Sequence, residues 1–492
     1  MTPAEDKTED KNYPIFVFPT IKTVPMKKIV CIFSFLCHSS FLFAQVDMGL
    51  PSVTGKGGVA NGIVKDWECI GINPANLGWE SNYRFSISTM IFGISVQSKA
   101  LNYQQLKNAI THPSDTFSAA DKKVFADLFT CEDGLNLQSN IDWLTFSFTV
   151  PKVGGFGMNI RERTFGHVTL NKNAADVLFN GVNAELFKDT ANLVKNISTL
   201  FDGSKIGYMH YRELNLSYGT KIIGFGGTED SSAISIYGGV GFKYLWGIGN
   251  FEMAADNGIL TGRSALSSKY GINYGTIKNF TPESSSGIFP SVGGGTAFDL
   301  GLGVGVGKVK ITLSALDMGK ITWNKNVLIA HDTLMPDTSQ FDFTGLDSWS
   351  VAQQANEMFN DSGIIQFKPG PDYSTDVLSK FRVGIGYQIT PKMIAGADLV
   401  LPITNNPANL DNAFFAIGTE VALASNFSFS FGLSGNSNYG LSLPIGLTFG
   451  RLFKIFQLRI ATNDILTYIG NGNNPNVSLA ISLFRFNLEK KK

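Results

Sequence analysis

Residues 380–403 read KFRVGIGYQITPKMIAGADLVLPI, and this stretch decides the fold class. From position 381 to position 389, every second residue is apolar and the residues between are mostly small or polar. Alternation with a period of two places the apolar set on one face of a β-strand. After the central proline a second run of the same kind begins, which predicts two strands joined by a short turn. The pattern recurs at 144–150, 427–433 and 441–449.

The spacing of such runs separates two all-β folds. About fourteen strand candidates lie between residues 83 and 487, and long connections alternate with short turns through most of the chain. Outer-membrane barrels have short periplasmic turns and long extracellular loops, whereas a soluble sandwich has no reason to alternate them. We therefore predict an all-β, antiparallel transmembrane β-barrel of about 14 strands, with a secreted soluble β protein as the alternative. The long connections are 99–140, 172–207, 251–289 and 325–379, and 173–202 has helical spacing.

Composition agrees with a barrel and excludes other classes. The 492 residues include 52 Gly and 39 Phe, 16% are charged, and the net charge is zero. A chain this rich in aromatic residues is not disordered. A neutral balance without a basic block argues against a nucleic-acid partner. Phe, Leu and Ile would cover a lipid face, and Gly, Ser and Thr would face the lumen.

The amino terminus indicates export. Residues 26–45 read MKKIVCIFSFLCHSSFLFAQ, with two lysines before an apolar run and an alanine at its end. This pattern predicts a signal peptide at 26–44, and the run of about 15 residues is short for a transmembrane anchor, which is the alternative. We expect 1–25 to be a mis-called extension, because a signal peptide starts at the initiator. Export to the outer membrane of a Gram-negative bacterium leaves Cys69 and Cys131, either paired or as two thiols.

A glycine-rich segment precedes the first strand. Residues 55–79 read GKGGVANGIVKDWECIGINPANLGW, and its Asn73-Pro74-Ala75-Asn76-Leu77 run resembles the amino-terminal segment of the long-chain fatty-acid transporter superfamily. That superfamily includes the PorV-like proteins of Bacteroidota. Two further motifs, 298–301 (FDLG) and 316–323 (LDMGKITW), resemble a large Bacteroidota outer-membrane barrel family of unassigned function. The transporter family's ligand-binding residues have no counterparts that can be matched here, so the resemblance does not imply fatty-acid specificity.

The resemblance implies that residues 45–80 fold into the lumen as a hatch, or plug. The expected plug residues are Trp67, Asn73, Pro74, Ala75, Asn76 and Trp79. The segment's apolar character agrees, because its tryptophans and isoleucines are too apolar to hang free in water. A turn that only caps the first strand is the alternative. The barrel itself is predicted at 81–488, followed by a charged tail at 489–492.

Polar residues of the predicted strands are candidates for the lumen wall. Arg161 and Arg163 share a strand face with Asn159, and together with Asp299 they form the predicted polar set. Because His167, His210, Arg212 and Glu213 lie on adjacent candidate strands, a catalytic site is the competing hypothesis. No serine–histidine spacing or metal set stands out, so we predict no enzyme, no catalytic residue, no cofactor and no metal site. We expect the lumen charges to pair with hatch charges such as Asp66 and Glu68.

Residues 293–308 (GGGTAFDLGLGVGVGK) resemble a phosphate loop only superficially. The spacing is wrong, because Leu302 occupies the position of the required first glycine and Val309 that of the required Ser or Thr. Alternating glycines instead predict a strand whose lumen face is approached closely by other atoms. Three aspartates at 337, 342 and 347 lack the compact spacing of a calcium loop.

Two functions remain compatible with this sequence. The first is passive uptake or passage of small hydrophobic molecules. The alternative is a non-transport scaffold or shuttle that docks secretion or surface-assembly proteins through its loops, as the PorV-like resemblance implies. In both cases the expected partners include outer-membrane lipid and, during biogenesis, the barrel-insertion machinery.

Overall fold

The computed structural model describes most of the chain from residue 49 onwards. The described residues are 49–81, 83–130, 134–189, 195–226, 233–272, 274, 277, 279–283, 290–335, 343–349, 365–404, 406, 408, 412–452, 456–469 and 476–489. The predicted extension 1–25, the signal peptide 26–44, Cys131 and the tail beyond Glu489 lie outside them.

Fourteen strands form a closed ring. They are β1 Tyr83–Ser98, β2 Leu135–Val150, β3 Gly154–Thr169, β4 Lys205–Phe225, β5 Ile234–Asp256, β6 Gly293–Val306, β7 Val309–Trp323, β8 Lys380–Thr390, β9 Met393–Pro402, β10 Phe414–Ala424, β11 Phe427–Asn436, β12 Ile445–Leu452, β13 Phe456–Thr462 and β14 Asn476–Glu489. Each strand pairs antiparallel with the next, and β14 pairs antiparallel with β1. The predicted antiparallel barrel of about fourteen strands is confirmed. Closure leaves no free sheet edge, which is what a barrel in lipid requires.

Connections differ in length at the two ends of the ring. Turns such as 151–153, 307–308 and 391–392 join strands at one end, the short-turn end. The opposite, long-loop end carries five accessory strands, at Ile259–Leu266, Val327–His331, Gln366–Pro369, Tyr373–Asp376 and Gly440–Ser442. The short helix α1 Pro51–Thr54 precedes the barrel. The long connections between strands contain α2 Tyr103–Thr111, α3 Ala119–Leu128, α4 Lys172–Asn180, α5 Ile197–Leu200 and α6 Leu466–Ile469. Short 3-10 helices lie at Asp66–Cys69, Pro74–Gly78, Gly181–Asn183, Glu185–Lys188 and Ser268–Tyr270.

The loop helices are held by local caps and by an apolar cluster. Asn102 and Ser118 each form a capping box that satisfies the first backbone N–H groups of α2 and α3. A loop cluster of buried side chains then joins α3 and α4 to segment 343–349. The segment predicted to be helical, 173–202, accordingly contains α4, α5 and two of the 3-10 helices. Of the described helices, none combines the length and the apolar character needed to cross a bilayer.

Side-chain alternation sorts the wall into two faces. On β2, Phe146 and Phe148 point away from the ring, whereas Thr145 and Ser147 are buried on the inner face. On β6, Leu300 and Leu302 are 51% and 53% exposed. An outward face made of large apolar side chains is typical of barrels that sit in lipid.

Candidate functional site

Residues 49–81, here called the inner segment, lie across the inside of the ring. The Lys56 ammonium pairs with Glu420 of β10 at 3.0 Å, and Arg382 of β8 donates to the Gly58 carbonyl at 2.7 Å. On the other side, Ile70 packs where a Cβ on Gly157 of β3 would lie, with its Cδ1 2.7 Å from that position. Contacts with strands on opposite sides of the ring place the segment in the interior. The six residues predicted for the plug, Trp67, Asn73, Pro74, Ala75, Asn76 and Trp79, are all buried.

Three buried asparagines organise the inner segment. The Asn73 side chain accepts a hydrogen bond from Ala75 N at 3.0 Å and so caps the 3-10 helix that begins at Pro74. Its amide also donates to Asn61 Oδ1 at 2.9 Å, and the Asn76 amide donates to the Asn61 carbonyl at 2.8 Å. Sequence reasoning missed Asn61, because its partners lie 12 and 15 residues away and its spacing shows no pattern. Buried amide groups are costly unless they are hydrogen-bonded, so these bonds favour one conformation of the inner segment.

The same asparagines attach the segment to the barrel wall. Asn73 donates to the Leu313 carbonyl of β7 at 3.1 Å, and Asn61 donates to the Arg382 carbonyl of β8 at 3.2 Å. Two backbone N–H groups, those of Ala60 and Asn61, donate to the Asp398 carboxylate at 3.1 and 2.9 Å. The attachment therefore uses both side-chain and main-chain groups.

Inner-face glycines let the segment approach the wall. A Cβ on Gly301 of β6 would lie 2.9 Å from Ala75 N, and one on Gly396 of β9 would lie 2.6 Å from the Ile385 carbonyl and 3.1 Å from Val59. Any larger residue at either position would overlap neighbouring atoms. The close approach expected on the glycine face of β6 is therefore present at Gly301.

A balanced ion-pair network lies on the inner face toward the long-loop end. It contains four basic and four acidic groups, each at most 5% exposed: Arg161, Arg163, Lys243, Lys380, Asp142, Glu213, Asp299 and Asp317. Arg161 Nε lies 2.6 Å from Asp142, and Arg163 lies 3.0 Å from Asp317. Lys243 contacts both Asp299, at 3.0 Å, and Asp317. A buried charge is tolerable only when it is paired in this way.

The four predicted lumen residues all reach this network. The Asn159 amide donates to Asp142 at 2.6 Å, and Arg161, Arg163 and Asp299 pair with carboxylates or lysine on other strands. Of the hatch charges named from the sequence, Glu68 pairs with Arg459 of β13. Asp142, Lys243 and Asp317 were not predicted. Asp317 meets Lys243 and Arg163 across 74 and 154 residues of sequence, which no local pattern predicts.

A second charged group lies on the outer face, directly behind the first. The Glu162 carboxylate accepts from His210 Nε2 at 2.8 Å, from Lys269 at 2.9 Å and from Arg212. Successive strand residues face opposite sides, so Glu162 is separated by the wall from Arg161 and Arg163. The set considered for catalysis is therefore split between two faces, with His210 and Arg212 outside and Glu213 inside. Among the described residues, no cluster of His, Cys, Asp and Glu has the arrangement of a metal site.

An apolar cavity of about 450 Å³ lies next to this outer group, at the long-loop end. Its wall is the outer face of β2 to β5, because the residues of opposite parity on β3, such as Gly157, face the inner segment. α4 and the segments around Phe343 and Phe367 cover it. The lining residues are Leu135, Leu137, Gly166, Val168, Leu170, Ala174, Val177, Leu178, Phe201, Ser204, Ile206, Gly207, Tyr208, Phe251, Met253, Ala255, Leu260, Leu266, Tyr270, Phe343, Ile365 and Phe367.

Two tyrosines form the polar end of this outer cavity. Their hydroxyl groups, on Tyr208 and Tyr270, lie 2.9 Å apart, and the Tyr270 hydroxyl lies 2.6 Å from His210 Nδ1. Burial raises the pKa of Tyr270 well above its ordinary value, so this phenol is neutral. The cavity thus offers apolar surface and hydroxyl groups, with the nearest charges set behind the tyrosines.

Between β3 and β4, the wall beneath the outer cavity is continuous. β3 pairs with β4 residue by residue from Gly155–Gly219 to Thr169–Lys205, without a register shift. No gap in this pairing connects the cavity with the inner segment. Sequence reasoning missed the cavity, because its lining comes from four strands and three loops.

The backbone resembles those of several solved proteins. The chain is 11% identical to the Ralstonia pickettii toluene transporter TbuX (TM-score 0.42, covering 89% of this chain and 98% of that one). It is 10% identical to the Pseudomonas putida toluene transporter TodX (0.45, 91% and 98%) and to a Pseudomonas aeruginosa FadL homologue (0.39, 91% and 99%). These values transfer no substrate or residue role to this chain.

Sequence comparison gives a family but no function. No curated protein matches the sequence significantly. The profile of DUF5723, described as a family of unknown function, matches residues 74–465, which is most of the chain. The chain belongs to the DUF5723 family.

Proposed function

We propose that this chain is an outer-membrane protein of a Gram-negative bacterium that binds small hydrophobic molecules at its extracellular end and lets them pass passively into the cell envelope. The observation that carries this proposal is the outer cavity of about 450 Å³. Small-molecule sites are typically concave, mostly apolar and about 300–1,000 Å³ in volume. A charged ligand would be desolvated there without a partner, so an uncharged one is favoured.

Outward-facing side chains support the membrane location. Phe298, Leu302 and Ile417 are 50%, 53% and 59% exposed, and each would gain about 1.5–3 kcal/mol if fully moved from water into lipid. These outward apolar side chains form a belt around the barrel. On its long-loop side, Trp143 of β2 and Tyr244 of β5 are 41% and 44% exposed. Aromatic side chains at that height match the girdle that marks the interface of outer-membrane barrels. The long-loop end, with the outer cavity, would then be extracellular.

We further propose that the inner segment is a plug that prevents free flow of water and ions. Its contacts with β6, β7, β8 and β10 support this role, and so does the burial of its tryptophans. Deleting residues 49–80 is expected to raise single-channel ion conductance in planar bilayers. Asn73→Ala, which removes four hydrogen bonds within the segment and to the wall, should also raise the conductance, but by less. Unchanged conductance in a folded deletion variant would refute the plug.

Uptake can be tested with the full chain. We expect the chain, produced with its own signal in a Gram-negative host, to fractionate with the outer membrane. Purified protein in detergent should bind pyrene saturably, and producing cells should accumulate pyrene faster than the host alone. A compact, detergent-independent protein in the periplasm or medium would contradict the membrane location. Absence of saturable binding would contradict the hydrophobic ligand.

A docking role is the second candidate, favoured by the folded loop cluster. Phe125, Phe129, Phe179 and Trp349 pack with ring centroids 4.9–6.3 Å apart, so the loops form a defined surface. Such a surface suits secretion or surface-assembly proteins, the partners expected from the PorV-like resemblance. Crosslinking in the native organism, which we expect to be a member of the Bacteroidota, would recover those proteins if this role is correct. Pyrene binding without any crosslinked partner would favour the first function.

A further inference from the structure

Between β3 and β4, the barrel wall separates the outer cavity from the interior. The cavity is lined by outer-face residues such as Gly166 and Val168, and the β3–β4 ladder beneath it is unbroken. On the inner side of that ladder lie the ion-pair network and the inner segment. A hydrophobic molecule leaving the cavity by the lumen would therefore have to cross the sheet and then displace charged groups. That route is energetically poor.

An apolar strip on the outside of the barrel provides another route. On β1 and β2 the outward residues face each other in pairs, with Val96 opposite Leu137, which lines the cavity, and Phe92 opposite Ile141. Ile94, between these pairs, is 39% exposed, and Phe92 is 36% exposed. Toward the short-turn end, the pairing of β1 with β2 skips Met90 and Trp143, and both side chains are exposed. The outward apolar side chains of β1 and β2 that would face lipid begin directly after them.

This outer strip is defined by Val96, Ile94, Phe92, Met90, Leu137, Ile141 and Trp143. From Leu137 to Leu144, where the belt begins, seven strand residues span roughly 20 Å. Ser139 is the only polar outward residue of β2 within that span. The strip therefore connects the cavity with the belt almost without interruption.

The adjacent strands lack such a strip. Directly below the cavity on β3 and β4, the outward positions carry Glu162, His210 and Arg212, with Lys269 against them. An apolar molecule moving down that side would contact a carboxylate with three basic partners. The charges thus direct movement toward β1 and β2.

We propose that small uncharged hydrophobic molecules move between the outer cavity and the outer leaflet of the membrane along the outer strip on β1 and β2, and not through the lumen. This inference rests on the proposed function, since it assumes that the outer cavity binds such molecules. The chain then acts as an exchange site between the medium and the leaflet. The plug is a permanent part of the barrel interior and has no part in the hydrophobic route.

Substitutions on the strip separate binding from movement. We choose the double variant Ile94→Thr/Ile141→Thr, because threonine keeps the β-branched shape and adds a hydroxyl group. Neither position lines the cavity, so the Kd for pyrene in detergent should stay within about twofold of the parent value. The rate of pyrene transfer from a cyclodextrin carrier into lipopolysaccharide-containing proteoliposomes should fall about fivefold, equivalent to about 1 kcal/mol.

Two controls locate the route. Ile417→Thr makes the same change on the outer face of β10, far from the strip, and should leave transfer unchanged. Asn73→Ala loosens the plug and should also leave it unchanged. Heat-dependent gel mobility checks that each variant is folded, and the single Ile94→Thr variant serves if the double variant is not.

The outcomes are distinguishable. If the parent chain does not bind pyrene saturably, the proposed function itself is refuted. Normal binding with unchanged transfer in the double variant would overturn the strip alone. Faster transfer in Asn73→Ala would also overturn it and assign the route to the lumen.

Discussion

Filling the outer cavity is the most direct perturbation of the proposed function. Gly166 lies on the cavity wall, and a Cβ added there would meet nothing closer than Leu137 Cβ at 3.7 Å. Gly166→Leu should therefore fold, with its side chain occupying space that a ligand now uses. If the leucine removes contact with about two methylene equivalents of ligand, the loss is about 1.6 kcal/mol at about 0.8 kcal/mol each. That corresponds to a Kd raised about 15-fold.

The measurement is a pyrene fluorescence titration of purified parent and variant in the same detergent. Gly305→Leu is the matched control, because a Cβ on Gly305 has its nearest contact at 3.8 Å and the residue lies on β6, outside the cavity. We expect parent affinity for the control. A folded Gly166→Leu protein that binds pyrene as tightly as the parent would refute the placement of the ligand. An equal loss in Gly305→Leu would show that the effect is not local.

Two further predictions concern the barrel interior. Asp317→Asn should lower the free energy of unfolding by about 3–5 kcal/mol, because it leaves Lys243 and Arg163 without one of their buried partners. The control Asp376→Asn changes an exposed pair, 3.7 Å from Lys320, and should lower it by less than about 1 kcal/mol. Urea unfolding in vesicles measures both variants, and equal effects would contradict the burial of the ion-pair network. Burial raises the pKa of the Cys69 thiol, so its reactive thiolate is scarce at pH 8. In a mature Cys131→Ser chain, maleimide should therefore label Cys69 slowly when the chain is folded and rapidly in denaturant. Fast labelling of the folded chain would contradict the inner position of Cys69.

The inner segment shows which contacts a short sequence motif can predict and which it cannot. The Asn73–Leu77 run predicted a turn and, by resemblance, a position in the lumen, and Asn73 does cap a 3-10 helix. The hydrogen bond from Asn73 to Asn61 was not predictable, because no periodicity connects these positions. The same holds for the attachment of Asn61 to Asp398, more than 300 residues away. Long-range polar pairs of this kind depend on strand register, which short motifs do not encode.

The sequence by itself determined the sheet and its two faces, because alternation in runs such as 381–389 is a local property of each strand. The lengths of the connections also showed which strand ends are joined by short turns. It also placed Asn159, Arg161 and Arg163 on one face. Only the tertiary structure decided which charges meet there, since Arg163 and Asp317 come from strands four positions apart around the ring. It also decided that Glu162 and His210 stand outside, next to a cavity whose lining comes from β2 to β5 and the loops folded over them. The physical reason is that alternation assigns a side chain to a face, whereas its neighbours on that face are set by the register of distant strands and by loop packing.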